Sequence, residues 1–195
     1  MLAAEAQRLN RAAGGPAIPA LFFFTDPQRT PDPVAVAKRL PRGAALVYRH
    51  FGAADRAPIA RALARACRSR GVFFLIAADP ALAQRVGAHG VHWPERLLGA
   101  RRTPEDGALV TAAAHSAAAI ARARAYGADA CVLSPVFPTE SASARPPLGL
   151  FRASQMARAA GLPVLALGGV NAKTARLLAG RGFAGIVSVA ALAGA

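Results

Sequence analysis

The stretch Ser134-Pro-Val-Phe-Pro-Thr139 is followed by Leu167-Gly-Gly-Val170 and then by Gly185-Ile-Val-Ser188. Each of the three segments ends or directly follows a short apolar run that is typical of a strand. A proline-rich loop, a glycine pair and a strand-end serine, in this order, indicate the last three strand-to-helix loops of a phosphate-binding β/α barrel.

The rest of the chain alternates between apolar runs and helical patterns. The runs are continuous rather than alternating, which is typical of parallel strands buried on both faces. Eight regularly spaced units, without a GxGxxG turn after the first strand, favour a closed barrel over an open sheet. We therefore predict a single α/β domain, a (β/α)8 TIM barrel with a truncated last helix. The predicted strands are Ala20–Phe24, Ala44–Tyr48, Val72–Ile76, Gly90–His92, Leu109–Ala112, Ala130–Leu133, Val164–Leu167 and Gly185–Val187.

Several helices carry recognisable end signals, namely capping side chains, proline at the first position and glycine after the last. The segment Met1–Arg11 predicts a short amphipathic helix, so we divide the chain into an N-terminal extension, 1–19, and a barrel, 20–195. Residues 190–195 remain for the truncated last helix. The other predicted helices are Arg56–Arg70 before Gly71, Ala81–Val86 after Asp79-Pro80, Ala117–Ala125 between Ser116 and Gly127, and Ala172–Ala179 between Asn171 and Gly180.

The composition is strongly basic, with a formal net charge of +14. Of the 24 lysine and arginine residues only Lys38 and Lys173 are lysine, so arginine supplies the other 22. A positive field favours anionic ligands and attracts nucleic acid nonspecifically. However, the arginines are scattered over many candidate helices, few aromatic residues lie among them, and the sequence contains no nucleic-acid-binding motif. Nucleic-acid binding is therefore an unlikely alternative.

The hydrophobic content and the cysteines indicate where in the cell the protein is found. Hydrophobic residues make up 54% of the chain, but no run reaches the roughly 18 residues of a membrane span. The N-terminus lacks the apolar centre of a signal peptide. Cys67 and Cys131 have no CxxC spacing, which predicts buried free thiols in a reducing cytosol. We therefore expect a cytoplasmic protein.

Two strand ends together indicate a phosphate site. Gly168 and Gly169 allow the backbone to approach an anion and direct N–H groups towards it. Val187 and Ser188 precede the start of the last helix, whose free N–H groups favour a phosphate. Tight turns without a ligand are the alternative. On the phosphate interpretation, Gly169→Asp abolishes ligand binding and leaves the fold largely intact.

Histidines at the same end of the strands are candidates for proton transfer. His115 precedes a helix N-terminus, which favours the neutral imidazole that a general acid or base needs. A helix-capping or core role is the alternative. His92 is a weaker catalytic candidate, because a histidine in Gly-Val-His is often a packing residue that bonds the backbone. Ser134 lacks the Gly-x-Ser-x-Gly elbow of a nucleophile, so covalent serine catalysis is not expected.

These motifs, together with Gly87-Ala-His-Gly-Val-His92 and His115-Ser116, resemble the thiamine phosphate synthase / TenI family from about residue 20 onward. The resemblance implies a barrel, commonly a homodimer, that binds a thiazole phosphate at the loops containing Gly168-Gly169 and Val187-Ser188. The synthases of this family join an aminopyrimidine pyrophosphate to that thiazole and use Mg²⁺ bound by two aspartates. In the TenI branch, which contains thiazole tautomerases, the histidine matching His115 is thought to move protons. The resemblance also implies substrate contacts at Arg49, His92, Ser134, Thr139 and Ser141.

The chain departs from the synthase pattern at the metal end. Ala77-Ala78 replaces the Asn-Asp pair after strand three, and Leu97 falls at the second metal aspartate. Mg²⁺ thus remains possible as a cofactor only through displaced ligands, Asp79 and Glu95. The retained residues favour tautomerase-type proton transfer or weak synthase activity. A noncatalytic sensor of phosphate ligands, or a partner subunit, is the main alternative.

Overall fold

Eight parallel strands close into a barrel in the computed structural model, which describes residues 1–139 and 146–189. Each strand pairs with the next, and the first pairs with the eighth. The predicted fold class is confirmed. The strands are β1 Leu21–Phe24, β2 Ala45–Tyr48, β3 Phe73–Ala77, β4 Gly90–Trp93, β5 Leu109–Ala114, β6 Ala130–Leu133, β7 Val164–Ala166 and β8 Gly185–Ser188.

The helices surround the barrel, and most of the predicted end signals hold. Ser116 accepts the N–H of Ala119 and Asp79 accepts that of Leu82, so both are N-caps. No helix in the described ranges is long and apolar enough to cross a membrane. The α-helices are α1 Leu2–Ala12, α2 Pro33–Arg39, α3 Arg56–Arg70, α4 Pro80–Val86, α5 Ala117–Tyr126 and α6 Leu150–Arg158.

The predicted helix Ala172–Ala179 is wrong in type. The structure has a 3-10 helix, Thr174–Leu178, in its place. Asn171 Oδ1 accepts hydrogen bonds from the N–H groups of Lys173 and Thr174. The first residues of the segment therefore form a turn that the Asn171 side chain closes. Gly180, with a φ of 66°, then ends the segment, and too few residues remain for two turns of α-helix.

The barrel interior is filled by side chains, so the barrel is a packed core rather than a pore. A second layer of apolar residues lies between the strands and the helices and includes the two cysteines, which are free and buried. The buried residues of the interior cluster are Phe22, Phe24, Ala45, Val47, Leu75, Ala77, Leu109, Ala130, Val132, Leu165 and Val187.

Helix α1 closes the barrel beside its last unit. Leu2, Ala6 and Leu9 form its buried stripe, and the helix packs against β1, β8 and the Thr174–Leu178 helix. The predicted truncated helix, 190–195, lies outside the described residues. The N-terminal segment therefore supplies apolar cover where the barrel joins its first strand to its last.

Arginines gather at the amino-terminal end of the strands, opposite the strand ends that carry the candidate site. Arg102 donates to the carbonyls of Gly127 and Gly107, and Arg158 donates to that of Gly180. We call these arginines the arginine belt; each reaches the glycine-containing connection of a neighbouring unit. In each belt pair the arginine lies within 4 Å of the place where a Cβ on the glycine would be: Arg42 at Gly71, Arg68 at Gly87, Arg102 at Gly127, Arg124 at Gly161, and Arg158 at Gly182.

Candidate active site

A pocket of about 860 Å³ opens at the carboxyl ends of the strands. A smaller groove of about 410 Å³ lies outside the barrel between α5 and α6, and Arg124 is the one ionisable residue that lines it among those described. The larger pocket therefore holds the candidate chemistry. It is lined by predicted site residues from six of the eight strand ends: Arg49, His92, His115, Ser134, Thr139, Gly168, Gly169, Val187 and Ser188.

His115 is held through its ring. Its Nδ1 lies 2.7 Å from the carbonyl oxygen of Ser134 and 3.2 Å from the Ser134 hydroxyl. Because a carbonyl oxygen only accepts hydrogen bonds, Nδ1 is the protonated nitrogen of the neutral ring. Nε2 then carries the lone pair, and it has no hydrogen-bond partner among the described residues. In this tautomer Nε2 can accept a proton.

Glu95 engages the backbone of the same histidine. Its Oε2 accepts the His115 N–H at 3.0 Å, and its Oε1 accepts from Arg122 at 2.9 Å. Asp79 caps α4 and lies 3.6 Å from a guanidinium nitrogen of Arg56. Both carboxylates suggested as displaced metal ligands thus have other partners.

The metal donors in the described part of the chain do not fit a Mg²⁺-pyrophosphate clamp. No three His, Cys, Asp or Glu side chains there lie close enough to share an ion. Asp26 is the one carboxylate among the described pocket-lining residues, and a nitrogen of Arg49 lies 3.8 Å from it. Ala77 and Ala78 supply no side-chain donor at the end of β3.

Arg49 is fixed at the pocket wall by three contacts. Its Nε donates to the Thr25 carbonyl at 3.0 Å, its N–H donates to the Thr25 hydroxyl, and its guanidinium lies over the Phe24 ring. Burial lowers the pKa of Arg49, and the charge of Asp26 opposes this effect. Its ordinary pKa is so high that the group remains a cation at neutral pH.

His92 is buried and neutral. Burial lowers its pKa to about 3, and the nearby Arg49 adds to the effect. Its Nδ1 lies 2.9 Å from the Thr111 hydroxyl, and its ring meets that of Phe24 edge-on. His92 therefore takes part in packing while it also lines the pocket.

The glycine pair packs tightly against the proline-rich loop. Phe137 N–H donates to the Gly168 carbonyl, and a Cβ at Gly169 would lie 2.4 Å from the Pro138 carbonyl oxygen. Both glycines have positive φ, 93° and 63°. The expectation that Gly169→Asp spares the fold is therefore wrong, because no side chain fits there.

The same glycine turn leaves donors available. In the described residues, the backbone N–H groups of Gly168, Gly169 and Val170 have no acceptor. All three residues line the pocket, beside Val187 and the buried Ser188. Consecutive free N–H groups of this kind form an anion-binding concavity.

Sequence reasoning missed part of the pocket wall. Gln28, Phe51 and Asn171 also line it, as does Asp26, whose Oδ1 accepts the N–H groups of Gln28 and Arg29. These residues follow β1, β2 and β7, and a position just after a strand of a parallel barrel is itself a sequence signal for the pocket wall. Ser141, which was predicted to contact substrate, lies outside the described residues.

The closed parallel barrel and the pocket at its carboxyl edge define the class of protein, a (β/α)8 barrel with a candidate site at the strand ends. The family model described as thiamine monophosphate synthase matches residues 21–192. The chain belongs to the thiamine monophosphate synthase family, and the resemblance seen in the sequence is confirmed.

Individual relatives agree with this assignment. The thiamine-phosphate synthase of Thioalkalivibrio sulfidiphilus is 35% identical over 157 residues, covering 75% of this chain and 74% of that protein. That of Geobacillus kaustophilus is 31% identical over 192 residues, covering 90% and 85%. Thiamine phosphate pyrophosphorylase from Pyrococcus furiosus shares the fold, with a TM-score of 0.73 at 23% identity and coverage of 94% and 87%.

Proposed function

We propose that the protein binds a phosphorylated thiazole in the strand-end pocket and uses His115 to move a proton on it. The reaction is an isomerisation of the thiazole tautomerase type, as in the TenI branch. The observation that carries this proposal is the 2.7 Å contact between His115 Nδ1 and the Ser134 carbonyl oxygen, from which we infer that Nε2 is the proton acceptor.

The phosphate end of the substrate is assigned to the glycine turn. The free N–H groups of Gly168, Gly169 and Val170 support this, together with Ser188 on the neighbouring strand. Backbone donors held in a fixed turn need little rearrangement to bind an anion. The positive net charge of the chain favours the approach of such a ligand.

The proton-transfer step needs only groups that the pocket contains. His115 Nε2 removes a proton from one atom of the thiazole, and the resulting imidazolium returns it to another. The ring ends in its starting state, and no co-reactant is consumed. Synthase chemistry, in contrast, releases pyrophosphate, whose charge must be neutralised. The described donor set does not fit that requirement, so we expect little synthase turnover.

A panel of binding and turnover assays tests the proposal. The ligands are the thiazole phosphate, its carboxylated precursor tautomer and the aminopyrimidine pyrophosphate, each with and without Mg²⁺. We expect binding of both thiazoles and tautomer conversion that is independent of Mg²⁺. Robust Mg²⁺-dependent thiamine phosphate formation would contradict the proposal. Binding without any turnover would favour the noncatalytic sensor, and molar-mass measurement on the same sample tests the expected homodimer.

His115→Ala is the direct test of the catalytic assignment. General acid–base catalysis contributes about 10²–10⁴-fold, so kcat should fall by that order. Affinity for the thiazole phosphate should change little, because the proposed phosphate contacts lie on other loops. His115→Asn should be nearly as impaired, because the amide side chain keeps hydrogen bonding but cannot take up a proton at neutral pH. Ser116, not His115, is the N-cap of α5, so the remaining alternative is a packing role. Normal activity of the Ala variant would refute the catalytic role, and normal thermal stability would refute the packing role.

A further inference from the structure

We infer that Glu95 is a positioning residue for His115, an inference that rests on the proposed function for its catalytic consequence. The sequence suggested this carboxylate as a displaced metal ligand. Its contacts instead connect it to the histidine that follows β5. We call the pair the Glu95–His115 clamp.

The clamp links two separate elements of the rim. Glu95 begins the 3-10 turn Glu95–Leu97 directly after β4, whereas His115 lies between β5 and α5. The contact is a hydrogen bond of 3.0 Å from the His115 N–H to Glu95 Oε2. Hydrogen bonds to an ionised acceptor are roughly twice as strong as neutral ones.

Two anchors then act on His115 at once. Glu95 holds its backbone N–H, and the carbonyl of Ser134, the residue directly after β6, holds its ring nitrogen. The first anchor fixes where the Cα lies, and the second fixes the rotation of the imidazole. Together they determine the position of Nε2. Proton transfer depends steeply on such placement, and an error of about 1 Å can cost about 10²-fold in rate.

Arg122 supports the clamp from the surface. It holds the other oxygen of Glu95 at 2.9 Å, and its side chain is 55% exposed, compared with 24% for Glu95. Exposed ion pairs contribute little to stability, because water screens the two charges. Arg122→Ala should therefore weaken the clamp much less than removal of the carboxylate does.

The test compares Glu95→Ala and Glu95→Gln with the control Asp79→Ala. Asp79 is a matched control because it also accepts one backbone N–H and faces one arginine, at the end of β3. Glu95→Ala should lower kcat for thiazole tautomerisation by about 10–100-fold with little change in KM. Glu95→Gln, which keeps an acceptor for the His115 N–H, should recover most of the rate. Asp79→Ala should leave kcat unchanged when kcat is measured under conditions in which the variant is fully folded.

Amide hydrogen exchange and the NMR signal of the His115 ring provide readouts that do not depend on turnover. In Glu95→Ala the His115 amide should lose protection and the ring N–H signal should shift, whereas neither changes in Asp79→Ala. Unchanged exchange and ring signals in Glu95→Ala would overturn the clamp, even in an active enzyme. Changed signals in a protein without tautomerase activity would uphold the clamp and refute only the proposed function. Equal loss of kcat in Glu95→Gln and Glu95→Ala would also overturn it.

Discussion

At the scale of single residues, the glycine pair shows how packing and binding can require the same residue. Gly168 and Gly169 have positive φ and approach the proline-rich loop too closely for any side chain. That geometry alone demands glycine. It also leaves three N–H groups available in the pocket, so a tight turn and an anion site are not competing interpretations here.

Gly169→Ala should therefore destabilise the protein whether or not a ligand binds. A left-handed backbone costs a non-glycine residue about 1–2 kcal/mol, and forcing a methyl group against the Pro138 carbonyl adds about 1–3 kcal/mol. Gly180 is the control, since it has nearly the same φ, 66°, and no atom within 4 Å of the place where a Cβ would lie. Gly180→Ala should cost only the first term. Denaturant unfolding measures both, and equal losses would contradict the packing argument.

At the scale of elements, the arginine belt gives five of the 22 arginines a structural place. The last turns of α3, α4, α5 and α6 each carry an arginine, where the negative end of the helix dipole favours a cation. Two belt arginines, Arg102 and Arg158, also donate to backbone carbonyls of the connections that follow a helix. Arginines that are scattered in the sequence thus lie together at one end of the barrel.

Arg102 makes the most bonds of the belt among the described residues. It donates to Gly127, Gly107 and Asp129, and so ties the end of α5 to the entrances of β5 and β6. Arg102→Ala should lower the free energy of unfolding by about 1–3 kcal/mol. Arg102→Lys should recover little, because a single ammonium cannot reproduce the fork.

The neighbouring Arg101 is exposed, so Arg101→Ala is the matched control and should change stability by less than about 0.5 kcal/mol. Chemical denaturation of the three variants separates the effect of geometry from that of net charge. Equal stability of Arg101→Ala and Arg102→Ala would show that the belt contacts contribute nothing measurable.

At the scale of the whole molecule, buried neutral histidines should make the fold sensitive to acid. Burial lowers the pKa of His50, His89 and His92 below the ordinary value of 6.5, to about 3 for His92. Below pH 6.5 the unfolded chain therefore binds protons that the folded chain does not. The contribution of these neutral histidines to the free energy of unfolding is therefore fully present above pH 6.5 and is lost as the pH drops towards 3.

For His92 alone the loss should approach about 1 kcal/mol per pH unit within this window. His92→Gln removes the titrating group, so its stability should fall less steeply with acid than that of the wild type. Urea unfolding at pH 7, 6, 5 and 4 compares the two slopes. Parallel curves would show that His92 does not resist protonation in the folded state.

The amino-acid sequence by itself determined the barrel and the residues of its rim. Continuous apolar runs predicted all eight strands, because strands buried on both faces need such runs. The bounds of α3 followed from local signals, an apolar stripe and Gly71. Once the strands were known to be parallel, residues after them had to meet at one edge, which is why Arg49, His115 and Ser188 line one pocket.

Only the tertiary structure decided what those residues contact. The acceptor for the His115 ring follows β6 and that for its backbone follows β4, and no local pattern encodes such a pairing. The same holds for the Gly169 contact with Pro138 and for the arginine belt, which join segments far apart in the chain. Local periodicity in the sequence indicates whether each residue is buried. The partners of a side chain depend instead on how the closed barrel brings loops that are distant in the chain together.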